Sequence, residues 1–344
     1  MHLRLFALGF GNVGRALARM LAEKASELHD RYGLALSFTG IVTRSAGHAH
    51  FPEGVSAAQL VERAWPSGRV GAPAQLPLSE TLAFIRQCPA DVVLELTPLN
   101  PQSGQPAIDH IRAALEAGRH VVTANKGPIA YAYRELRALA EEHGVALRFE
   151  STVLDGTPLF GLVEGALPAT AITGFRGLLN STSNYVLGRM AAGDSLEAAV
   201  AGAQRAGIAE ADPSNDLEGW DGAVKATVLA NVLLHADHRL GDVARDGLGV
   251  HAMRQAQMGL LPGQALKQVV EAREEHGQVT ARVRLAALPP TDLLAHLSGM
   301  ETAIQLHTDT LQDVTLIEGE GGPGQTAFGL VADLVNIARQ FYIR

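Results

Sequence analysis

The chain has 344 residues, 47% hydrophobic and 19% charged, and its 36 acidic and 28 basic residues give a formal net charge of −8. These values predict a globular protein with room for two domains, and the acidic balance argues against binding to nucleic acid or to an anionic membrane. A single cysteine fits a reducing compartment, and with no signal peptide and no apolar run of transmembrane length in the sequence we expect a cytoplasmic protein.

The chain opens with a pattern typical of dinucleotide binding. An apolar run over residues 3–8 predicts a buried strand, and it leads directly into Gly9-Phe10-Gly11-Asn12-Val13-Gly14 and a helical period. Gly9 permits the tight turn, Gly11 lets the backbone approach a pyrophosphate, and Gly14 lets helix and strand pack closely. The N–H groups of the helix N-terminus would bind the phosphates. The alternative is a purely structural glycine turn, which the correct flanks on both sides disfavour.

A second predicted strand, residues 34–42, ends at Thr43-Arg44-Ser45, where such folds bind the adenosine ribose. An acidic residue there favours NAD, and an arginine favours the 2′-phosphate of NADP. Arg44 therefore favours NADP, although a solvent-facing arginine explains the residue nearly as well. For residues 45–78 the Gly, Pro, Ala and His content predicts an irregular insertion with at most one helix, near residues 57–64. His48 and His50 are expected in an exposed loop of this insertion.

Strands and helices then alternate as far as residue 150. Strands are predicted over residues 91–98, 120–124 and 146–150, and helices over 79–87, 106–117 and 129–143. Ligands lie beyond the carboxyl ends of strands in open α/β sheets, so Thr97 and Pro98 should line the cofactor. Lys126 is placed to reach the nicotinamide or a substrate carboxylate, or else faces solvent. The alternation predicts a doubly wound parallel sheet in residues 1–150.

The second half predicts an α+β domain over residues 151–325. Strands are predicted over residues 171–179, 278–288 and 301–316, and helices over 182–192, 195–206 and 220–240. A glycine loop at residues 318–324 precedes a last helix from residue 326 and offers a second set of helix N-terminal N–H groups. We therefore expect an antiparallel or mixed sheet in this half.

The stretch from Gly207 to Asn231 carries the charges that point to chemistry. Its first half is a loop with five carboxylates, Glu210, Asp212, Asp216, Glu218 and Asp221, and its second half has a helical apolar period. Asp221 and Lys225 are four residues apart and share one helix face. The alternative is a surface ion pair, worth about 0.3–0.5 kcal/mol. The apolar flanks predict a buried helix instead, where such a pair more often marks a site.

Four stretches together resemble homoserine dehydrogenase. They are Gly9–Gly14, Thr123–Pro128, Gly177–Tyr185, and Ala209–Pro213 continuing to Asp221 and Lys225. The resemblance implies a Rossmann-like dinucleotide-binding domain at residues 1–150, with a helix at 326–344 returning to it, and an α+β catalytic and dimerisation domain at 151–325. It also implies a homodimer that reversibly reduces L-aspartate 4-semialdehyde to L-homoserine with NAD(P)H, on the route to threonine and methionine.

The resemblance also implies roles for individual residues. Lys225 matches the proton donor, Asp221 its partner, Glu210 the residue that holds the substrate amino group, and Lys126 a lysine that contacts cofactor and substrate. The chemistry agrees, because hydride transfer to an aldehyde carbon puts charge on the oxygen, which a nearby ammonium stabilises and protonates. Further substrate-binding candidates are Asp216, Asn180, Ser181 and Thr182, of which the last three are alternatively a helix cap. Gly322 is a further cofactor-binding candidate.

The segment Glu150–Thr157 matches the one through which the family binds sodium or another monovalent cation. The implied ligands are Glu150 and the carbonyl groups of Val153, Asp155 and Thr157. The sequence departs from the family at Leu154 and Asp155, where glycines are usual, and Asp155 is alternatively a group behind the substrate pocket.

Two other functions stay open at this point. One is a related NAD(P)-dependent dehydrogenase of another small amino or oxo acid. The other is a non-catalytic dinucleotide-binding sensor, against which the pairing of Asp221 with Lys225 beside Glu210 argues. We expect neither an aspartokinase nor a C-terminal regulatory domain, and hence no feedback inhibition through one.

Overall fold

The computed structural model describes residues 1–63, 70–71, 76–249, 253 and 260–342. The chain divides into two compact units, unit 1 with residues 1–161 and 322–344 and unit 2 with residues 162–321. Each unit contains one six-stranded sheet. Within the described residues, no helix combines the length and apolar character needed to cross a membrane.

Unit 1 is built on a sheet with the strand order β3-β2-β1-β4-β5-β6. Its strands are β1 His2–Leu8, β2 Ala35–Val42, β3 His48–Ser56, β4 Val92–Glu95, β5 His120–Thr123 and β6 Leu147–Arg148. Its helices are α1 Asn12–Glu23, α2 Ala25–Tyr32, α3 Ala57–Glu62, α4 Leu78–Gln87, α5 Ala107–Glu116 and α6 Lys126–Glu142, and α7 Leu159–Ala166 begins in it. All strand pairs except β2–β3 are parallel, which confirms the predicted parallel sheet.

The prediction for the segment that follows β2 was wrong in part. Residues 48–56 were expected to be an irregular loop, but they form β3, which pairs antiparallel with β2 at the edge of the sheet. Phe51 and Val55 alternate with exposed residues and are buried in the core of unit 1, which explains why this segment is a strand. The ring of His50 packs edge-on against Phe84 instead of projecting from a loop. The helix predicted near residues 57–64 is confirmed as α3.

Unit 2 has a mixed sheet, as predicted, with the strand order β12-β11-β7-β9-β10-β8. Its strands are β7 Ile172–Leu178, β8 Ala244–Arg245, β9 Ala265–Glu275, β10 Gln278–Leu288, β11 Thr302–Thr308 and β12 Asp313–Glu318. Its helices are α8 Ser181–Ala191, α9 Leu196–Arg205, α10 Ser214–Leu217 and α11 Trp220–Leu233. Only the short β8–β10 pair is parallel.

Three predictions for unit 2 were wrong in detail. The single strand expected over residues 301–316 is the hairpin of β11 and β12, which turns at residues 309–312. The strand β9 was not predicted, because its continuous buried run contains the polar residues Lys267 and Gln268 and its end is charged, so the sequence shows no apolar alternation there. Helix α11 ends at Leu233 and not at residue 240, and His235 just beyond it has a left-handed φ of 52°.

After unit 2 the chain forms the helix α12, Pro323–Phe341, within unit 1. It starts three residues earlier than predicted, with a proline in its first turn, which suits the fixed φ of that residue. Leu330, Leu334 and Ile337 are fully buried in the same core cluster as Leu17 of α1 and Leu5 of β1. The helix therefore completes the core of unit 1.

His120 on β5 joins the end of α12 to the sheet. Its Nδ1 accepts the Ala146 N–H at 3.0 Å, so the proton of the neutral ring is on Nε2, which lies 3.0 Å from the Tyr342 hydroxyl. Burial lowers the pKa of His120 below its usual value of 6.5. The unfolded chain therefore binds more protons than the folded one in the window just below pH 6.5.

We expect the free energy of unfolding to rise with pH through this window and to fall as the pH drops through the folded-state pKa of His120. The variant His120→Gln should flatten that slope, because it removes the group whose pKa differs between the two states. Denaturant unfolding between about pH 5 and pH 7.5 measures the slope. The exposed His29 provides the control His29→Gln, which should keep it. An unchanged slope in His120→Gln would contradict the prediction.

Candidate active site

The predicted glycine turn connects β1 to α1 in unit 1. Gly9 has φ +92°, and a Cβ there would lie 2.5 Å from the carbonyl oxygen of Leu96. Phe10 is buried, Gly11 and Asn12 are exposed, and Asn12 is the first residue of α1. The N-terminus of α1 has no side-chain cap among the described residues. Its first N–H groups are therefore open to an anion.

A cleft of about 450 Å³ opens beyond the carboxyl ends of β1, β2 and β4. Gly9, Arg44, Thr97 and Pro98 all line it, so the structure brings together four of the predicted cofactor-binding residues. Arg44 is exposed and Thr43 is buried. His110 of α5 also lines the cleft. The sequence did not indicate His110, because it lies within an ordinary amphipathic helical pattern.

Lys126 is the first residue of α6, so this helix begins three residues earlier than predicted. Asn125 explains the early start, because its Oδ1 accepts the Gly127 N–H at 3.0 Å and caps the helix. The Nδ2 of Asn125 donates to the carbonyl oxygen of Thr97 at 3.0 Å. The start of α6 is thereby tied to the end of β4, which lines the cleft.

In unit 2 four predicted residues form one polar cluster, which we call the Lys225 cluster: Asn180, Asp216, Asp221 and Lys225. The Nδ2 of Asn180 donates to Asp216 at 2.8 Å and to Asp221 at 3.1 Å. Nζ of Lys225 lies 3.2 Å from Asp221 Oδ2 and donates to the carbonyl oxygen of Leu179. The other amide atom of Asn180 caps α8 by accepting the Ser183 N–H at 2.8 Å. Asn180 is therefore both a helix cap and a member of the cluster.

The Lys225–Asp221 pair differs from the ion pairs on helix surfaces. Its side chains are 14% and 17% exposed, against 41% and 66% for Arg137–Glu141, an ion pair with the same four-residue spacing on α6. Helix α11 is buried on most sides, as its apolar flanks predicted. A partly buried ammonium held by a carboxylate and a carbonyl oxygen is suited to chemistry more than to surface stabilisation.

The remaining substrate-binding candidates lie around this cluster. Thr182 is buried in the first turn of α8, where its hydroxyl donates to the carbonyl oxygen of Ile208 at 3.3 Å, and Ser181 is the first residue of that helix. Glu210 is exposed in the loop between α9 and α10. Its carbonyl oxygen accepts a hydrogen bond from Gln204. Within the described part of the chain, its carboxylate is not hydrogen-bonded to the cluster.

Burial, followed by the neighbouring charge of Asp221, raises the pKa of Asp216 above its usual value of 3.8. The folded state then binds more protons than the unfolded state just above that pH, so this group lowers stability as the pH rises. We expect Asp216→Asn to increase the free energy of unfolding at pH 7, as measured in urea. Asp212→Asn is the control, because hydrogen bonds from Ser214 lower the pKa of the exposed Asp212. Stabilisation by both changes, or by neither, would contradict this expectation.

The segment matched to a cation site uses its carboxylates for other contacts. The two oxygens of Glu150 accept the N–H groups of Phe160 and Gly161 at 2.8 and 2.7 Å. Asp155, at a left-handed φ of 41°, accepts the Gly322 N–H at 2.6 Å in front of α12. Val153 is buried, and the Thr157 carbonyl oxygen accepts the Leu159 N–H at 2.7 Å. No group of three or more His, Cys, Asp or Glu side chains among the described residues is placed to hold a metal ion.

Gly322 was predicted to contact the cofactor through its backbone. Its N–H is instead donated to Asp155, and Thr326 Oγ1 lies 3.4 Å from the same carboxylate. A carboxylate at a helix N-terminus is favourable for the helix dipole. The N-terminus of α12 therefore already holds an anionic group from within unit 1, and the second set of helix N–H groups is partly occupied.

Two family models match the chain. Residues 9–150 match the model described as homoserine dehydrogenase, NAD binding domain, and residues 158–335 match the one described as homoserine dehydrogenase. The chain is also 38% identical over 341 residues to an NAD(+)-dependent homoserine dehydrogenase of Pseudomonas canavaninivorans, with 97% of this chain and 96% of the relative covered.

Solved structures are similar over nearly the whole chain. A homoserine dehydrogenase from Thermoplasma acidophilum superposes with a TM-score of 0.84 at 25% identity, covering 98% of this chain and 100% of that one. A hyperthermophilic archaeal homoserine dehydrogenase in complex with NADPH gives a TM-score of 0.81 at 26% identity, with 99% of each chain covered. The similarity thus extends over both units.

Proposed function

The chain belongs to the homoserine dehydrogenase family, which confirms the resemblance inferred from its sequence, and from this premise we propose how its residues act. It is an NAD(P)-dependent oxidoreductase for the reversible reduction of L-aspartate 4-semialdehyde to L-homoserine, a reaction on the route to threonine and methionine. We propose that unit 1 binds the dinucleotide and that unit 2 binds the substrate.

The Lys225 cluster is the observation that carries this assignment of roles. The nicotinamide cofactor supplies the hydride when it is bound. Charge then develops on the aldehyde oxygen, and the Lys225 ammonium stabilises that charge and donates a proton to it. Asp221 and the Leu179 carbonyl oxygen hold Nζ of Lys225 in one place, which keeps the donor oriented before the reaction.

The other candidates bind the substrate in this proposal. The exposed carboxylate of Glu210 suits the substrate ammonium, as does the carboxylate of Asp216 in the Lys225 cluster. Ser181 and Thr182 offer neutral hydrogen bonds, and Lys126 at the start of α6 contacts cofactor and substrate. In the reverse direction Lys225 accepts the proton of the homoserine hydroxyl.

The direct test is oxidation of NADPH or NADH on addition of L-aspartate 4-semialdehyde. Turnover with this substrate and not with other small oxo acids supports the assignment. Turnover only with another oxo acid would favour the related-dehydrogenase alternative. Binding of the dinucleotide without turnover of any of these acids would favour the sensor alternative.

We propose NADP as the preferred cofactor, because Arg44 is exposed at the cleft and no acidic residue is among the described residues that line it. A charge-assisted contact between Arg44 and the 2′-phosphate implies that Arg44→Ala raises the KM for NADPH about tenfold and leaves that for NADH unchanged. Steady-state kinetics with both cofactors measures this. An equal effect on both would show that Arg44 does not contact the 2′-phosphate, and NAD would then be the better proposal.

Three further expectations stay predictions. A homodimer through the sheet of unit 2 is proposed from the family resemblance. Sedimentation at twice the mass of the chain would support it. The proposed reaction has no step through a monovalent cation, because both carboxylate oxygens of Glu150 already accept backbone N–H groups. A cytoplasmic location is proposed because the single cysteine fits a reducing compartment.

A further inference from the structure

Glu95, at the carboxyl end of β4, is a buried charged residue that the proposed mechanism does not use. Its exposed fraction is 0%, and its Oε2 has no hydrogen-bond partner among the residues that the structure describes. A carboxylate is expensive to bury, and unpaired polar atoms inside proteins are rare enough that each requires a reason. A leucine at this position would pack in the core without the cost of burying a carboxylate.

The other carboxylate oxygen of Glu95 contacts two residues that line the cleft. Thr97 donates its hydroxyl proton to Oε1, and His110 Nδ1 lies 3.4 Å from the same atom. Thr97 and His110 are both cleft-lining residues, whereas Glu95 lies behind them and is not in the lining. Glu95 therefore acts on the cleft only through these two side chains.

The contacts with Glu95 determine whether Thr97 and His110 donate or accept hydrogen bonds on the side that faces the cleft. A hydroxyl has one proton, and because that of Thr97 goes to Glu95, its oxygen can only accept from a ligand. A neutral imidazole that donates Nδ1–H to a carboxylate keeps Nε2 as an acceptor. The cleft wall is thus set to accept hydrogen bonds, which suits ribose hydroxyls or the amino group of adenine and not phosphates.

Further hydrogen bonds connect the carboxyl ends of β4 and β5. Thr123 Oγ1 donates to the Glu95 carbonyl oxygen at 2.8 Å, and the Asn125 N–H donates to Thr123 Oγ1 at 3.0 Å. Because Asn125 in turn holds the Thr97 carbonyl oxygen at 3.0 Å, the ends of β4 and β5 form one hydrogen-bonded network. Thr97 is therefore held both at its backbone carbonyl group and at its side-chain hydroxyl.

We propose that Glu95 is a positioning residue for cofactor binding, which fixes Thr97 and His110 as hydrogen-bond acceptors toward the adenosine half of the dinucleotide. The proposal rests on the proposed function in one respect, that the cleft holds the dinucleotide. It predicts that Glu95 affects the affinity for the cofactor and not the affinity for the aldehyde substrate.

The test is titration of the full chain with NADPH, followed by the fluorescence of the bound cofactor, so that turnover is not needed. Glu95→Gln keeps one oxygen that can accept from Thr97, but it replaces the other oxygen by an NH2 group that can only donate. The change therefore alters which groups donate and which accept behind the cleft. We expect the dissociation constant for NADPH to rise about tenfold, with the KM for the semialdehyde unchanged. Glu116→Gln, a change of the same type at an exposed residue of α5, is the matched control and should bind NADPH as the parent does.

A merely structural role is separated from positioning by a double-variant cycle. Thr97→Val alone should weaken NADPH binding about tenfold. Glu95→Gln combined with Thr97→Val should lose less binding free energy than the sum of the two single losses, because Glu95 acts in part through Thr97. Thr97→Val also keeps the test open if Glu95→Gln does not fold. Additive losses, or a lowered Tm in Glu95→Gln with unchanged NADPH binding, would overturn the proposal.

The two proposals fail in different experiments. Loss of NADPH binding in Glu95→Gln together with no turnover of the semialdehyde by the parent chain would support the role of Glu95 and refute the proposed reaction. Turnover by the parent chain with an unaffected NADPH dissociation constant in Glu95→Gln would do the reverse.

Discussion

Replacing Lys225 by alanine should lower kcat for semialdehyde reduction about a thousandfold, the usual range for losing a positioned proton donor that also stabilises an oxyanion. The dissociation constant for NADPH should stay unchanged, because Lys225 belongs to unit 2 and the cofactor cleft to unit 1. Stopped-flow single turnovers and NADPH titration measure the two quantities separately.

Companion variants test whether Lys225 is a donor or a structural ion pair. Asp221→Asn keeps the size of the partner and removes its charge, and Nζ still contacts the Leu179 carbonyl oxygen. We therefore expect a smaller loss of kcat, about tenfold. Arg137→Ala removes a member of the exposed ion pair with the same spacing and should leave kcat unchanged. A Lys225→Ala enzyme within tenfold of the parent would remove Lys225 from the proposed mechanism.

Local sequence patterns predicted the parts of the site that lie close together in the chain. The four-residue spacing placed Asp221 beside Lys225, and a helix cap was the alternative left open for Asn180, Ser181 and Thr182, of which Asn180 supplies it. The bridge from Asn180 to Asp216 and Asp221 joins residues 36 and 41 positions apart. No periodicity in the sequence indicates such a contact, since only the fold brings the start of α8 close to α10 and α11.

Sequence patterns also did not predict the residues that contact the site residues from the protein interior. In the sequence, Glu95 is a single polar position in a buried strand, and His110 is one residue in the pattern of an amphipathic helix. Their contact exists because β4 and α5 are neighbours in the fold. Family resemblance implied a role for the carbonyl group of Asp155, as a cation ligand, and did not indicate that its carboxylate caps α12 from a left-handed turn. The physical reason is that an N-terminus of a helix needs an acceptor, which Asp155 supplies.

The largest expected effect in unit 1 is that of Gly9→Ala. A Cβ at this position would lie 2.5 Å from the Leu96 carbonyl oxygen and 2.7 Å from its carbon, and φ is +92°. Backbone atoms cannot give way as a flexible side chain can, so we expect a loss of about 2–4 kcal/mol in the free energy of unfolding. NADPH binding should fall at least about a hundredfold, because the turn that holds the pyrophosphate is displaced.

Gly11→Ala separates the two roles of the turn. A Cβ at Gly11 would meet nothing within 4 Å, so the free energy of unfolding should change by less than about 1 kcal/mol. NADPH binding should nevertheless fall about a hundredfold, because a methyl group would stand where the pyrophosphate approaches. Gly33→Ala, at φ +59° in open space, is the control for backbone strain alone and should lose stability without losing NADPH. Retained NADPH binding in Gly11→Ala would mean that the turn is structural and that the phosphates bind elsewhere on unit 1.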